Sequence, residues 1–268
     1  MSKEQRPPIS EIIKREVRQR CGFGCVICGL PLYEYHHIVP WEKVKIHEAK
    51  NLTLLCDSHH KMVGNLLPDE KIIRDNSNPI NLRKGWSSDL ELFFEGDKCK
   101  VCLGNNFFYS NFKRFTYSIP IVIDGFPIIM FELIDGMLFF SIRLNNRANN
   151  LVLEIVRNEL SYSVSPWDIS LIGNTLTIRE RLNDVFIRMR INLPNEIVID
   201  SAHIYFNGIE LNIKPKRIMV TGDDSNFQKN IVEEAPFGIS IGGNSPIGAL
   251  TLGEIPRFPV KKMHVYNS

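Results

Sequence analysis

Between residues 117 and 213 the chain falls into short apolar runs rich in Ile, Val, Phe and Leu, each closed by Gly, Asn, Asp or Pro. The runs Ile119–Ile123, Ile128–Leu133, Met137–Leu144, Leu151–Val156, Thr175–Arg179, Val185–Ile191, Glu196–Ile199 and Ile204–Ile213 have the composition and punctuation of strands. Alternation is clearest in the second half of Val185–Ile191, where Arg188 and Arg190 interleave with Met189 and Ile191 as in a half-buried strand. Asn207-Gly208 is a hairpin signal, because both residue types accept the positive φ of a type I′ turn. This spacing predicts an all-β sandwich or roll, with a parallel β-solenoid as the alternative.

Upstream the pattern changes. Ser10, after Pro7-Pro8, is a candidate N-cap, and Ile12, Ile13 and Val17 supply an apolar face, so a helix is expected over Ser10–Arg20. Lys14, Arg15, Arg18 and Arg20 are expected on its basic outer face. The turn formers Asp75-Asn76-Ser77-Asn78-Pro79 mark a boundary near residues 75–90. The resulting expectation is an α+β chain: a small N-terminal domain over 1–80 and a mainly β domain over 81–268.

The small domain is dense in metal-binding residue types. Cys25 and Cys28 form one pair at i, i+3, and Cys56 and His59 form a second with the same spacing. Two such pairs separated by a short insertion supply the tetrahedral S/N set of a structural zinc. Cys21 would be a fifth donor at a four-ligand site and reads as a small buried hydrophobe. Five of the seven His lie between residues 36 and 60. His47, in the charged connector 41–48, has no partner at metal-pair spacing and reads as a bystander.

Tyr33-Glu34-Tyr35-His36-His37-Ile38-Val39-Pro40, then Asn51-Leu52-Thr53-Leu54-Leu55-Cys56, then His60, resemble the HNH endonuclease family over about residues 9–75. The adjacent His pair is similar to the colicin nuclease version of the motif. The resemblance implies a ββα-metal fold stapled by zinc. It implies that His37 is the general base, that His36 and His60 hold a catalytic Mg²⁺ or Mn²⁺, and that Asn51 holds the first strand and its catalytic His. Two positions depart from the family pattern. The last zinc ligand, usually Cys, is His59, and Gly64 stands where some members carry a further metal-binding His. A two-ligand ion is therefore expected, with His59 in place of His60 as the alternative ligand.

The chemistry is sound on its own terms. A phosphodiester anion resists hydroxide, and a divalent ion can neutralise it and stabilise the leaving oxygen. A neutral imidazole can take the proton from water. Neighbouring residues on a strand face opposite ways, so His36 and His37 need a twist or bulge to serve one site. The function these residues predict is hydrolysis of DNA, in restriction or phage defence by analogy with small HNH proteins. The alternative is a non-catalytic zinc-dependent DNA-binding or scaffold protein.

Net charge is +2, and residues 1–75 carry the whole excess with 12 Lys and Arg against 10 Asp and Glu. DNA is the expected partner, with a protein partner or oligomer through the β domain as a further possibility. There is no run of about 18 apolar residues, so no membrane association is expected. The N-terminus lacks an apolar signal segment, and six Cys with three at zinc spacing fit a reducing cytoplasm. In the β domain, Cys99 and Cys102 have no second pair and read as structural. Gly238–Gly243 lacks the lysine of a phosphate loop. The aromatics Phe107, Phe108, Tyr109, Phe112 and Phe115 could stack bases but more often fill a core.

Overall fold

A computed structural model describes residues 6–84, 96–161, 168–192, 194–221, 223–227, 230–234 and 236–265. The expected domain passage near 75–90 lies outside the described residues from 85 onward, as do the first five residues. The chain forms two compact units, one of residues 1–90 with 168–170 and one of residues 91–167 with 171–268. The architecture is α+β, a small ββα region and a strand-rich remainder.

The first unit opens with α1 (Glu11–Arg20), capped by the Ser10 hydroxyl, which accepts from the Ile13 amide at 3.4 Å. Next come β1 (Glu34–His37), α2 (Trp41–Val44), a 3₁₀ turn at Ala49–Asn51 and β2 (Leu52–Leu55). They are followed by α3 (Asp57–Met62), α4 (Asp69–Ser77) and α5 (Ile80–Lys84). β1 and β2 pair antiparallel in an unshifted register, Glu34 with Leu55 through His37 with Leu52. The core is small. Val17, Cys21, Val26, Ala49, Leu52, Leu54, Leu55, Leu67 and Ile72 are its buried apolar members, and Cys25 and Cys56 are packed among them.

Helix α1 departs from the expected arrangement. Val17 is fully buried, but Ile12 is 75% exposed. Arg18 turns inward at 4% exposure instead of joining a solvated basic face. Its guanidinium grips Asp168 with two bonds of 2.8 Å and donates to the Tyr35 hydroxyl at 2.7 Å. Arg20 donates to the carbonyls of Ala49 and Leu52, tying α1 to the start of β2. An arginine's planar fork meets a carboxylate with both N–H groups, so sequence amphipathicity yields to one distant acid.

The second unit is mainly β. Phe126–Ile134, Met137–Asn145 and Leu151–Val156 follow Tyr117–Ile123 as one antiparallel meander. Thr175–Arg181, Asp184–Asn192, Glu196–Phe206 and Ile209–Lys214 form a second. Parallel pairing is confined to joins such as Lys98–Leu103 beside Glu196–Phe206 and Phe237–Ile241 beside Tyr117–Ile123. The connections are therefore hairpins and not the coils of a solenoid. The described strands close no barrel. Phe131, Phe186, Ile187, Ile199, Ile204 and Leu211 are buried in the core. Arg188 and Arg190 are exposed between buried Ile187, Met189 and Ile191, as the alternation requires.

Asn207 and Gly208 make the expected hairpin, with φ of 49° and 77°. Among the described residues no helix is long and apolar enough to cross a membrane.

The Arg18–Asp168 pair is nearly free of water, with side chains 5% and 4% exposed. Asp168→Ala leaves a buried cation without its partner, a loss of about 3–5 kcal/mol. Chemical denaturation of the full chain should show that loss. The double change Arg18→Met with Asp168→Leu should recover most of it, because the desolvation cost then disappears with the charge.

Candidate active site and metal centre

Two side-chain clusters are built around β1. The first is the cysteine knuckle. Cys25 and Cys28 sit on a tight turn closed by the Gly29 amide, which donates to the Cys25 carbonyl at 2.7 Å, with Gly29 at φ 84°. Gly24 is fixed by close approach, since a Cβ there would lie 2.3 Å from the Gly29 carbonyl and 2.6 Å from the Asn81 amide nitrogen. Asn81, 1% exposed, donates to the carbonyls of Gly22 and Gly29 and locks α5 against this turn. The Val26 amide donates to the Leu54 carbonyl at 3.0 Å, fastening the turn to β2. Cys56 then N-caps α3, which carries His59.

The ligand atoms of Cys25, Cys28, Cys56 and His59 all lie within 4.8 Å of one another. Cys28 Sγ is 3.8 Å from Cys56 Sγ, and His59 Nδ1 is 3.6 Å from Cys25 Sγ and 3.1 Å from Cys56 Sγ. Tetrahedral zinc, at its usual bond lengths, spaces sulfurs about 3.8 Å apart and sulfur from nitrogen about 3.6 Å apart. The donor set fits such an ion. Hydrogen bonding from the Cys28 thiol holds Cys25 down to about 4, burial opposing it, while Cys28 is pushed up in return. Cys21 stands outside the group, fully buried, with its thiol pushed up by burial.

The second cluster involves the histidines. Glu34 and His36 share one face of β1 by strand periodicity, and His60 of α3 meets both. The His36 and His60 rings are 5.2 Å apart at 76°, and His60 Nδ1 is 2.9 Å from Glu34 Oε2. His59 and His60 are thus placed apart, one imidazole among the thiols and the other beside His36. Burial, then the charge of His60, lowers the His36 pKa, with Asp69 opposing.

His37, the last residue of β1, keeps different company. Its Nε2 is 3.2 Å from His47 Nδ1, its ring is 5.9 Å from Trp41 at 84°, and the Arg6 guanidinium contacts it. Burial, then the charges of Arg6, His47 and His36, pushes His37 down to about 4. That shift keeps its imidazole neutral, the form a general base needs. No bulge interrupts β1, and by strand alternation the two histidines leave it on opposite faces. Asn51 closes the hairpin behind them. Its carbonyl accepts from the Ile38 amide at 2.8 Å, and its side chain donates to Glu48 at 3.0 Å.

In the sequence Glu34 had no assigned role and His47 read as a bystander, whereas the structure places His47 against His37. Glu34 could have been found from its position two residues before His36 on the same strand face. His47 carried a weaker signal. The β1–β2 loop leaves and returns at the His37–Leu52 pair, so its residues cannot stray far from His37. In the second unit Cys99 and Cys102 are both buried on one strand, with thiols pushed up to about 12 and 11 by burial. They are core residues, as expected.

Residues 25–67 match the family model described as HNH endonuclease, and all eight of the expected site residues lie within that span. No curated protein and no solved structure matches the chain. The matched segment is similar to endonuclease domains, a class that acts on nucleic acid.

Cys28→Ser and Cys56→Ser should each remove the co-purifying metal, zinc by expectation, and destabilise the small first unit, because metal binding there is folding free energy. His60→Ala should leave that metal in place. Elemental analysis of the purified variants checks both halves, and metal loss from His60→Ala alone would reverse the assignment of the two histidines.

Proposed function

We propose that the chain is a metal-dependent endonuclease that hydrolyses DNA phosphodiester bonds. The observation that supports this best is the meeting of His36 and His60 at 5.2 Å, with a neutral His37 next along the strand, inside a segment that matches HNH endonucleases. In this reading His36 and His60 would hold a catalytic Mg²⁺ or Mn²⁺, and Glu34 orients the His60 ring. Such an ion supplies charge neutralisation at the scissile phosphate and at the leaving 3′ oxygen. His37 accepts the proton of the attacking water, whose oxygen bonds to phosphorus as the P–O3′ bond breaks. Asn51 keeps the strand end in place through its carbonyl. Cys25, Cys28, Cys56 and His59 would hold a structural zinc that takes no part in the chemistry.

The nuclease role belongs to a domain over residues 1–80, and the β domain over 81–268 supplies recognition, sensing or a partner contact. The setting we favour, by analogy with small HNH proteins that carry an added domain, is restriction or phage defence in the cytoplasm. Since Arg18 and Arg20 are tied to protein acceptors, phosphate contacts must come largely from elsewhere in the unit.

His37→Ala should lower plasmid cleavage with Mg²⁺ or Mn²⁺ by on the order of 10²–10⁴-fold, with bound zinc and thermal stability unchanged. A nicking assay on supercoiled plasmid reads this directly. Cleavage within a few-fold of wild type would rule His37 out as the base.

A further inference from the structure

We infer that His47 is a positioning residue for His37: it fixes the tautomer and ring orientation of the base, so that Nδ1 is the nitrogen presented to water. The inference rests on the reading of His37 as the general base, and it follows from which atoms can donate and which can accept.

His47 Nε2 lies 2.8 Å from the Pro7 carbonyl. A carbonyl only accepts, so Nε2 of His47 carries the proton. In neutral His47, Nδ1 is then a lone-pair acceptor, and it lies 3.2 Å from His37 Nε2. That contact is a hydrogen bond only if His37 is protonated on Nε2. The lone pair of neutral His37 is thereby left on Nδ1. The Arg6 guanidinium, a donor only, touches both ring nitrogens, Nδ1 most closely and Nε2 at 3.0 Å, so the contact with His47 and not Arg6 decides the tautomer. Water takes Arg6's place at Nδ1 in the reacting complex.

Trp41 holds the arrangement. Its ring lies 4.6 Å from His47 at 33° and stands edge-on to His37 at 5.9 Å. Both imidazoles are thus buttressed by one indole. When the base takes the proton from water on Nδ1, the imidazolium keeps its Nε2–H bond to His47, and that bond strengthens as the charge appears. The chain Pro7 carbonyl, His47, His37 does for this base what a second hydrogen-bonded group does for any catalytic imidazole.

Two substitutions and one spectrum test it. His47→Leu deletes the acceptor, whereas His47→Asn restores an oxygen near the place of Nδ1. The expected result is a fall in kcat of about 10–100-fold for the Leu variant, with KM for plasmid and zinc content unchanged, and recovery of most of that loss in the Asn variant. Long-range ¹⁵N–¹H spectra of ¹⁵N-histidine protein, with His37 assigned by its disappearance in His37→Gln, should show the proton on Nε2 in the wild type and a tautomer mixture in His47→Leu. A His37 proton on Nδ1 in the wild type, or wild-type kcat in His47→Leu, would overturn the inference and leave the endonuclease reading standing. A wild type that cuts no DNA with any divalent ion would sink the endonuclease reading instead, while the spectrum still decides the tautomer.

Discussion

Three thiols and an imidazole gathered within 4.8 Å of one another are costly to keep in a protein interior unless a cation shares their lone pairs, and the first unit is organised around that demand. Few apolar side chains surround them, and Cys25 and Cys56 count among the buried residues themselves. A core of this size gains little from burial alone. Holding Cys56 and His59 in one cluster fixes the start and the rotation of α3. The next residue, His60, is turned about 100° around the helix and so faces β1. The position of the histidine pair is in this sense a consequence of the knuckle.

The second constraint is the short hairpin. Four residue pairs join β1 to β2, and strand alternation divides the chemistry between the faces of β1. Glu34 and His36 turn to α3, while His37 turns to the connecting loop and the N-terminal segment. Burial first, and the charges of neighbouring groups second, push the pKa values of His36 and His37 down. One arrangement thus sets His36 beside His60 on one face and His37 beside His47 on the other.

In the second unit a polar clasp replaces strand pairing near the C-terminus. Arg257 bonds both carboxylate oxygens of Asp124 at 2.8 and 2.7 Å and the Asn207 carbonyl at 2.9 Å. The Phe258 amide donates to the Gly208 carbonyl at 2.9 Å, and a Cβ on Gly208 would meet the Phe258 carbonyl at 2.4 Å. Asn207 also bonds the His264 main chain in both directions, and Asn149 donates to the Lys262 carbonyl. The hairpin turn at 207–208 thereby does a second task, anchoring a segment with little secondary structure of its own. Buried amides of this kind are stable where their bonds are made within the network.

The sequence by itself determined the elements whose cause is local. Period and punctuation located Ile119–Ile123, Leu151–Val156 and Val185–Ile191, which lie within strands, the Ser10 cap, the Asn207-Gly208 turn and the two i, i+3 pairs that meet in the Cys25–His59 cluster. Each depends on neighbours a few residues away, which a linear pattern records. Only the tertiary structure decided the fate of Arg18, which spacing put on a solvated face and which Asp168, 150 residues away, drew inward. It alone put His47 against His37 across the β1–β2 loop, and His59 and His60 into different clusters. Those outcomes depend on which distant donor and acceptor can be desolvated together, and that is a property of the packed chain that no sequence spacing encodes.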